Sequence, residues 1–244
     1  EVLKIDFPYR DLKNRNKQRI VIVTEQLIGI LHSPTAVVLR FAYVLKKLGY
    51  EILLMVCPDD KSLPEELWFH EGKVRSNEVF KDMPLEMSYK DELFVGYQIN
   101  MTQGCLKEYH MMLSLIHTWN PYFVLDLGTA NPVVDLISKF TTLAAWEMSI
   151  VCPVSEANIL IRLGRTEDKL EQDYKEALLD HQVQLFMEEN IPVLTEESSE
   201  QCDRSEMKLP EGRFLVAIVG NRLDIDINDA FIAVMQRILK DITC

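Results

Sequence analysis

The chain lacks the devices by which nucleotides, metals and acyl groups are most often handled. Its nine glycines never form Gly-x-Gly-x-x-Gly, Gly-x-x-x-x-Gly-Lys or Gly-x-Ser-x-Gly. That argues against a dinucleotide site of the usual kind, a P-loop and a serine-hydrolase elbow, each of which needs glycine where backbone must turn tightly or approach a ligand. The five cysteines, Cys57, Cys105, Cys152, Cys202 and Cys244, are odd in number, widely spaced and without Cys-x-x-Cys. This pattern suits reduced thiols and neither a disulfide framework nor a zinc site, and it points to a cytoplasmic chain. Basic charge is short as well, with 26 Lys and Arg against 38 Asp and Glu and a formal net charge of −12. A duplex nucleic-acid binder needs a basic face to displace counterions, so nucleic acid is not an expected partner. No apolar run approaches the roughly 18 to 20 residues that span a bilayer, so any membrane contact is expected to be peripheral. The first residue is Glu1 and not Met, which leaves room for a removed leader or a preceding domain.

What is present centres on residues 19–56. Ile20-Val-Ile-Val23 is a β-branched run without polar alternation, the mark of a parallel strand covered on both faces. Ser33 and Pro34 suit a helix start. Val37, Val38, Phe41, Val44, Leu45 and Leu48 recur at helical spacing, and Gly49 provides a left-handed cap. Tyr50 to Val56 then reads as a second strand. The result is a βαβ unit, and function in such units gathers past the carboxyl ends of the strands. The loop from Glu25 to Thr35 lies there and carries Gly29 and His32.

Farther along, Cys57 to Pro64 is a turn-rich break, followed by an irregular segment whose Trp68, Phe69 and His70 are expected to dock as core. Leu93-Phe-Val95 and Tyr97-Gln-Ile99 read as strand material separated by Gly96. Cys105 to Trp119 is a helix by spacing, stopped by Asn120-Pro121. Tyr122 to Leu127 is a second buried strand leading through Gly128 and Asn131-Pro132 into a helix with Val133, Val134, Leu136, Ile137 and Phe140. Two such loops on parallel neighbours open on one edge of the sheet. Thr141 to Trp146 reads as a short strand and Leu170 to Glu189 as one long acidic helix. The polar run at 196–209 reads as a linker between an N-terminal domain, 1–195, and a new βα unit over 210–244, with a strand at 213–219 and a helix at 230–239.

His32 is the leading candidate for chemistry: an imidazole at the end of the first strand either acts as a base toward a hydroxyl or simply fixes the loop. Asp126 or Asp135 would orient it if their elements neighbour the first strand, although a first-turn or solvated role suits Asp135 better. Gly29 and Gly128 either allow close backbone approach to a ligand or only permit turns. Asn131 is either a helix N-cap or a ligand donor. Asp224-Ile-Asp226 matches a short metal-binding pattern but suits capping or exposure better, and His110 and His117, seven apart, have no completing ligand, so no metal site is expected.

The opening βαβ with His32-Ser-Pro-Thr35, the strand Asn120-Pro-Tyr-Phe-Val-Leu-Asp-Leu-Gly128 and the late Phe214-Leu-Val-Ala-Ile-Val-Gly-Asn-Arg-Leu223 together resemble a bacterial GT-B glycosyltransferase. The resemblance implies a Rossmann-like parallel sheet with helices on both faces, receiving the acceptor, and a second α/β domain, truncated here, for a nucleotide-sugar donor. That donor would be a substrate and not a cofactor. It also implies that Gly220 and Arg222 approach the donor diphosphate, although Asp224 and Asp226 stand where such families place a lysine. The paired glutamates of many retaining members would lie beyond residue 244; the pairs Glu78 with Glu86 and Glu188 with Glu196 do not sit in a donor domain. The acceptor would be a hydroxyl compound such as a surface glycan or lipid-linked precursor, and the fragment alone would be inactive. The competing readings are a non-catalytic Rossmann-like scaffold and a sugar-nucleotide epimerase of the same architecture.

Overall fold

The computed structural model describes residues 5–25, 27, 33–57, 85–99, 105–128, 131–146, 152–164, 168–187, 203–206, 208–210, 212 and 227–242. The chain divides into two compact units, Glu1–Ile191 and Pro192–Cys244. Trp68, Phe69 and His70, expected as core, and the expected strand at 213–219 lie outside the described residues.

The first unit is built on β1 (Asn16–Thr24), whose last five residues are buried. A central strand must pair its backbone on both sides, and β1 does so in parallel with β2 (Glu51–Val56) and β5 (Pro121–Asp126). With β3 (Leu85–Tyr89), β4 (Glu92–Gln98), β6 (Leu143–Ala145), β7 (Ile159–Leu163) and β8 (Val183–Met187), the eight-stranded sheet runs β3-β4-β2-β1-β5-β6-β7-β8. Only β3 runs antiparallel to its neighbour. This is an α/β fold with a mostly parallel sheet wound outward in both directions from β1.

Alternation along β1 sorts the core. Ile20 and Ile22 face α1 (Ser33–Lys47) together with Leu54, Val56, Leu125 and Phe94. Val21 and Val23 face α2 (Cys105–Trp119), α3 (Pro132–Asp135) and the 3₁₀ turn Leu136–Lys139. Tyr174 of α4 (Asp168–Ala177) joins that second cluster. The crossovers β1-α1-β2 and β4-α2-β5 run in opposite directions along the sheet, so right-handed connections place α1 and α2 on opposite faces.

Several elements differ from the sequence expectation. The fully buried residues of α1 are Thr35, Val38, Leu39 and Ala42; Val37, Phe41 and Leu45 of the expected stripe pack half-buried against the same cluster, while Val44 and Leu48 are exposed. The small Thr35 and Ala42 let the helix lie close, which centres the buried line on them and turns Val44 and Leu48 outward. Gly96 does not separate two strands. It lies inside β4, where an added Cβ would stand 2.9 Å from the Leu54 carbonyl oxygen, so the residue serves close packing of β4 on β2. The expected helix after Asn131 is one α-turn followed by a 3₁₀ turn. The expected long helix from Leu170 ends at Ala177, and Val183–Met187 is a strand. The Gln182 side chain accepts from the Leu179 N–H at 3.1 Å, and the Gln182 N–H donates to the Leu179 carbonyl at 2.9 Å, closing the intervening turn.

Strand β7 was not foreseen, and it carries the most deeply buried cation among the described residues. Arg162 has no exposed surface, pairs with Glu171 of α4 and lies between the rings of Tyr174 and Phe186, its guanidinium 4.8 Å from each centroid. Arg15 is the corresponding anchor at the start of β1. It donates to the carbonyls of Arg10 (2.8 Å) and Tyr122 (3.0 Å) and to the hydroxyls of Thr142 (2.7 Å) and Tyr9 (3.0 Å). Residues 5–14 are thus an arm laid across the first unit, with Phe7 stacked on His117 at 5.0 Å and edge-on to Phe140 at 5.5 Å. In the second unit, α5 (Asp229–Ile242) begins under a cap in which the Asn228 side chain accepts from the Phe231 N–H at 3.0 Å. No helix among the described residues is long and apolar enough to cross a membrane.

Two outcomes follow from the buried charges. Glu171→Ala strands the Arg162 guanidinium and lowers unfolding free energy by about 3–5 kcal/mol in denaturant titration, whereas Glu171→Leu with Arg162→Met recovers most of it. Burial, aided by the charge of Arg10, holds the His117 pKa below its ordinary value, against an opposing hydrogen bond to the Pro8 backbone. The unfolded chain therefore binds the proton first as pH falls. Stability drops from about pH 6.5 downward until the lowered folded pKa is passed, and His117→Phe removes that slope in denaturant titrations run across the window.

Candidate functional site at the switch point of the sheet

Strand order reverses between β1 and β5, and the crevice beyond their carboxyl ends is where open α/β sheets place ligands. The register sets Val23 beside Asp126, so the chain leaves both strands at the same level. The ladder continues past the strands: the Leu127 N–H donates to the Val23 carbonyl at 2.8 Å, and the Thr24 hydroxyl donates to the Leu127 carbonyl at 3.2 Å. On the outer side of β1, the Cys57 N–H donates to the Thr24 carbonyl at 2.8 Å. These bonds hold the exits of three strands, β1, β2 and β5, as one rigid rim.

On that rim the structure gathers Thr24, Glu25, Cys57, Asp126, Gly128 and Asn131. Asp126 is buried at the end of β5. A Cβ placed on Gly128 would lie 3.2 Å from Asp126 Oδ1 and 3.3 Å from Glu25 Cγ. The absence of a side chain at 128 is therefore what lets two carboxylate-bearing residues from adjacent strands close on the same point. Close approach, and not a left-handed turn, explains this glycine, since its φ is not in the positive range. Asn131 serves as the α3 N-cap, its side-chain oxygen accepting from the Val133 N–H at 3.0 Å. Its amide also reaches across to Cys57, with Nδ2 3.4 Å from Sγ, and so ties the start of α3 to the end of β2.

Five of these six residues bear polar groups, two carboxylates, a hydroxyl, a thiol and an amide, and none of the six is a cation. Carboxylates accept hydrogen bonds from donors such as hydroxyls and repel a phosphate. No cluster of three or more His, Cys, Asp or Glu able to hold a metal occurs among the described residues.

The structure brings Asp126, Gly128 and Asn131 together and places them on the strand and loop beside β1. His32 and Gly29, on the loop that follows β1, lie outside the described residues, as do Gly220 and Arg222 and the Asp224–Asp226 pair. The condition set for Asp126, that its strand neighbour the first, holds. Asp135 takes no part in this rim. It lies in the first turn of α3, as one of its expected roles requires, but it is not solvated, because it is half-buried and bonded to Ser155 in the segment before β7. Cys57 went unread, although its position directly after the apolar run of β2 marked it as a strand-exit residue. No protein family, curated protein or solved structure compared with the chain matches it.

Gly128→Ala is expected to destabilise the unit by about 1–3 kcal/mol through crowding against Glu25 and Asp126. Pairing it with Glu25→Ala, which removes the crowded Cγ, restores part of the loss, and a double-mutant cycle in denaturant measures the coupling.

Proposed function

We propose that the chain is the acceptor-binding part of a GT-B-like glycosyltransferase that moves a sugar from a nucleotide-sugar to a hydroxyl acceptor. The observation that carries the reading is the pairing of Asp126 and Glu25 around Gly128 at the switch point. Two carboxylates at a strand exit bind and orient hydroxyls, which is the work of an acceptor site, and they repel the diphosphate of a donor. The doubly wound order of the sheet supports the same assignment, because it provides a crevice at that point without a glycine-rich phosphate loop.

In this reading His32 takes the proton from the acceptor hydroxyl as that oxygen attacks the sugar, and Asp126 holds the imidazole and stabilises its charged form. Gly29, Gly128 and Asn131 shape the rim against the acceptor. Gly220 and Arg222 are assigned to the donor diphosphate, for which the planar guanidinium is the better-suited cation. The acceptor oxygen bonds the sugar's anomeric carbon as that carbon's bond to the diphosphate breaks, the nucleotide leaves with the electron pair, and no resident cofactor is required. The acceptor is a glycan or another polyol, and the site of work is cytoplasmic.

Sugar transfer and donor binding by the full-length natural protein, with His32→Ala beside it, test the reading. A fall of about 10²–10⁴-fold in kcat with unchanged donor affinity and unchanged thermal unfolding is expected. A variant that loses only thermal stability, or a wild-type protein that neither binds nor turns over any nucleotide-sugar, overturns the enzyme reading in favour of a scaffold.

A further inference from the structure

A second cavity of about 430 Å³ lies in the first unit and is lined by none of the rim residues. Its size falls in the range of roughly 300–1,000 Å³ typical of pockets for small organic ligands. It opens between α3, the segment 152–156 and the end of α4 with the turn beyond it. Leu160, Tyr174 and Leu178 make its apolar wall, while Asp135 and Glu156 bring two carboxylates and the lining contains no lysine or arginine.

The hydrogen-bond inventory around this cavity is lopsided. Gln182 spends its amide N–H groups on the carbonyls of Ser155 (2.7 Å) and Ala157 (2.9 Å) and its oxygen on the Leu179 N–H. The Ser155 hydroxyl donates to the Asp135 carboxylate and accepts from the Ala157 N–H at 3.0 Å. These donors are thus committed within the protein, and they make the wall rigid. Asp135 accepts from Ser155 and from the Glu156 backbone N–H, which uses two of the roughly four acceptor directions of a carboxylate. Acceptor capacity remains on a half-buried carboxylate that lines a cavity. Burial raises the Asp135 pKa above its ordinary value, the charge of Glu156 adds to this, and Lys139 opposes it. A cation entering the cavity would relieve that cost.

A bare metal ion would find too few oxygens here, since calcium takes six to eight and the facing wall is hydrocarbon. An anion meets two carboxylates. A neutral alcohol could donate one bond but would leave the charge uncompensated. We propose that this cavity binds a compact organic ammonium, a primary amine on a short apolar body, with Asp135 as its counter-ion, Glu156 beside it and Leu160, Tyr174 and Leu178 against the body. The site is independent of the glycosyl-transfer reading.

The test uses the whole 244-residue chain, ¹⁵N-labelled, titrated with n-butylammonium, n-butanol and butyrate at constant ionic strength. Saturable amide shifts centred on Ser155, Glu156 and Gln182 are expected with butylammonium. Butanol should bind at least about tenfold more weakly, as loss of a charge-assisted hydrogen bond implies, and butyrate not at all. Asp135→Asn should weaken butylammonium by about tenfold or more and abolish the preference over butanol. Ala177→Trp, a change at an exposed helix position that lines the cavity, should block binding while both carboxylates remain. Equal binding of butanol and butylammonium, butylammonium shifts that survive Ala177→Trp, or no saturable shift at all overturns the proposal.

Discussion

The structure depends on the dry burial of one strand. From Ile20 to Thr24 the backbone of β1 has lost contact with water, so each N–H and C=O needs a partner and each side chain an apolar neighbour on its own face. Parallel pairing on both edges answers the first demand and helices on both faces answer the second. Parallel neighbours cannot be joined by tight turns, and the crossovers that join them are what give the unit its helices. The end of that strand is also the point where order reverses, so the constraint that builds the core locates the crevice.

At the crevice, backbone geometry is set by the sheet and chemistry by very few side chains. Gly128 illustrates how closely the two are joined: its missing Cβ is a packing fact, and the convergence of Glu25 and Asp126 is the chemical result. The Asn131 cap has the same double character, since one amide both starts α3 and bridges to Cys57. The rim is therefore preorganised by bonds that the fold requires in any case.

How much of this was legible follows from which signal each element carries. The apolar runs of β1, β2 and β5 and the spacing of α2 announced themselves, because a fully buried strand and an amphipathic helix leave different periodicities. Asp126 and Gly128 were legible as a strand exit, and Asn131 as a cap. Strand β7 was hidden by Arg162, whose charge reads as surface until Glu171, Tyr174 and Phe186 are seen around it. Strand β8 was hidden because an edge strand with alternating exposure, Val183 and Leu185 outward, resembles the continuation of an amphipathic helix. Gly96 misled because glycine in a strand signals either a break or a close approach, and only the carbonyl of Leu54 decides between them. The cavity at Asp135 had no sequence signature, since its walls come from segments with no common spacing.

The pairing of β1 with β5 also bears on the birth of the chain. Thr24 meets Leu127 across a separation of 103 residues, and a ribosome adding about 5–20 residues each second needs roughly 5–20 s to supply that partner. For about the last two-thirds of that interval, once Val56 has been made, β1, α1 and β2 can already have assembled, because local elements form in microseconds. The nascent protein therefore carries an open, strongly apolar strand edge for many seconds, which makes the edge of β1 the natural point of contact for a chaperone and the natural origin of misassembly when synthesis stalls.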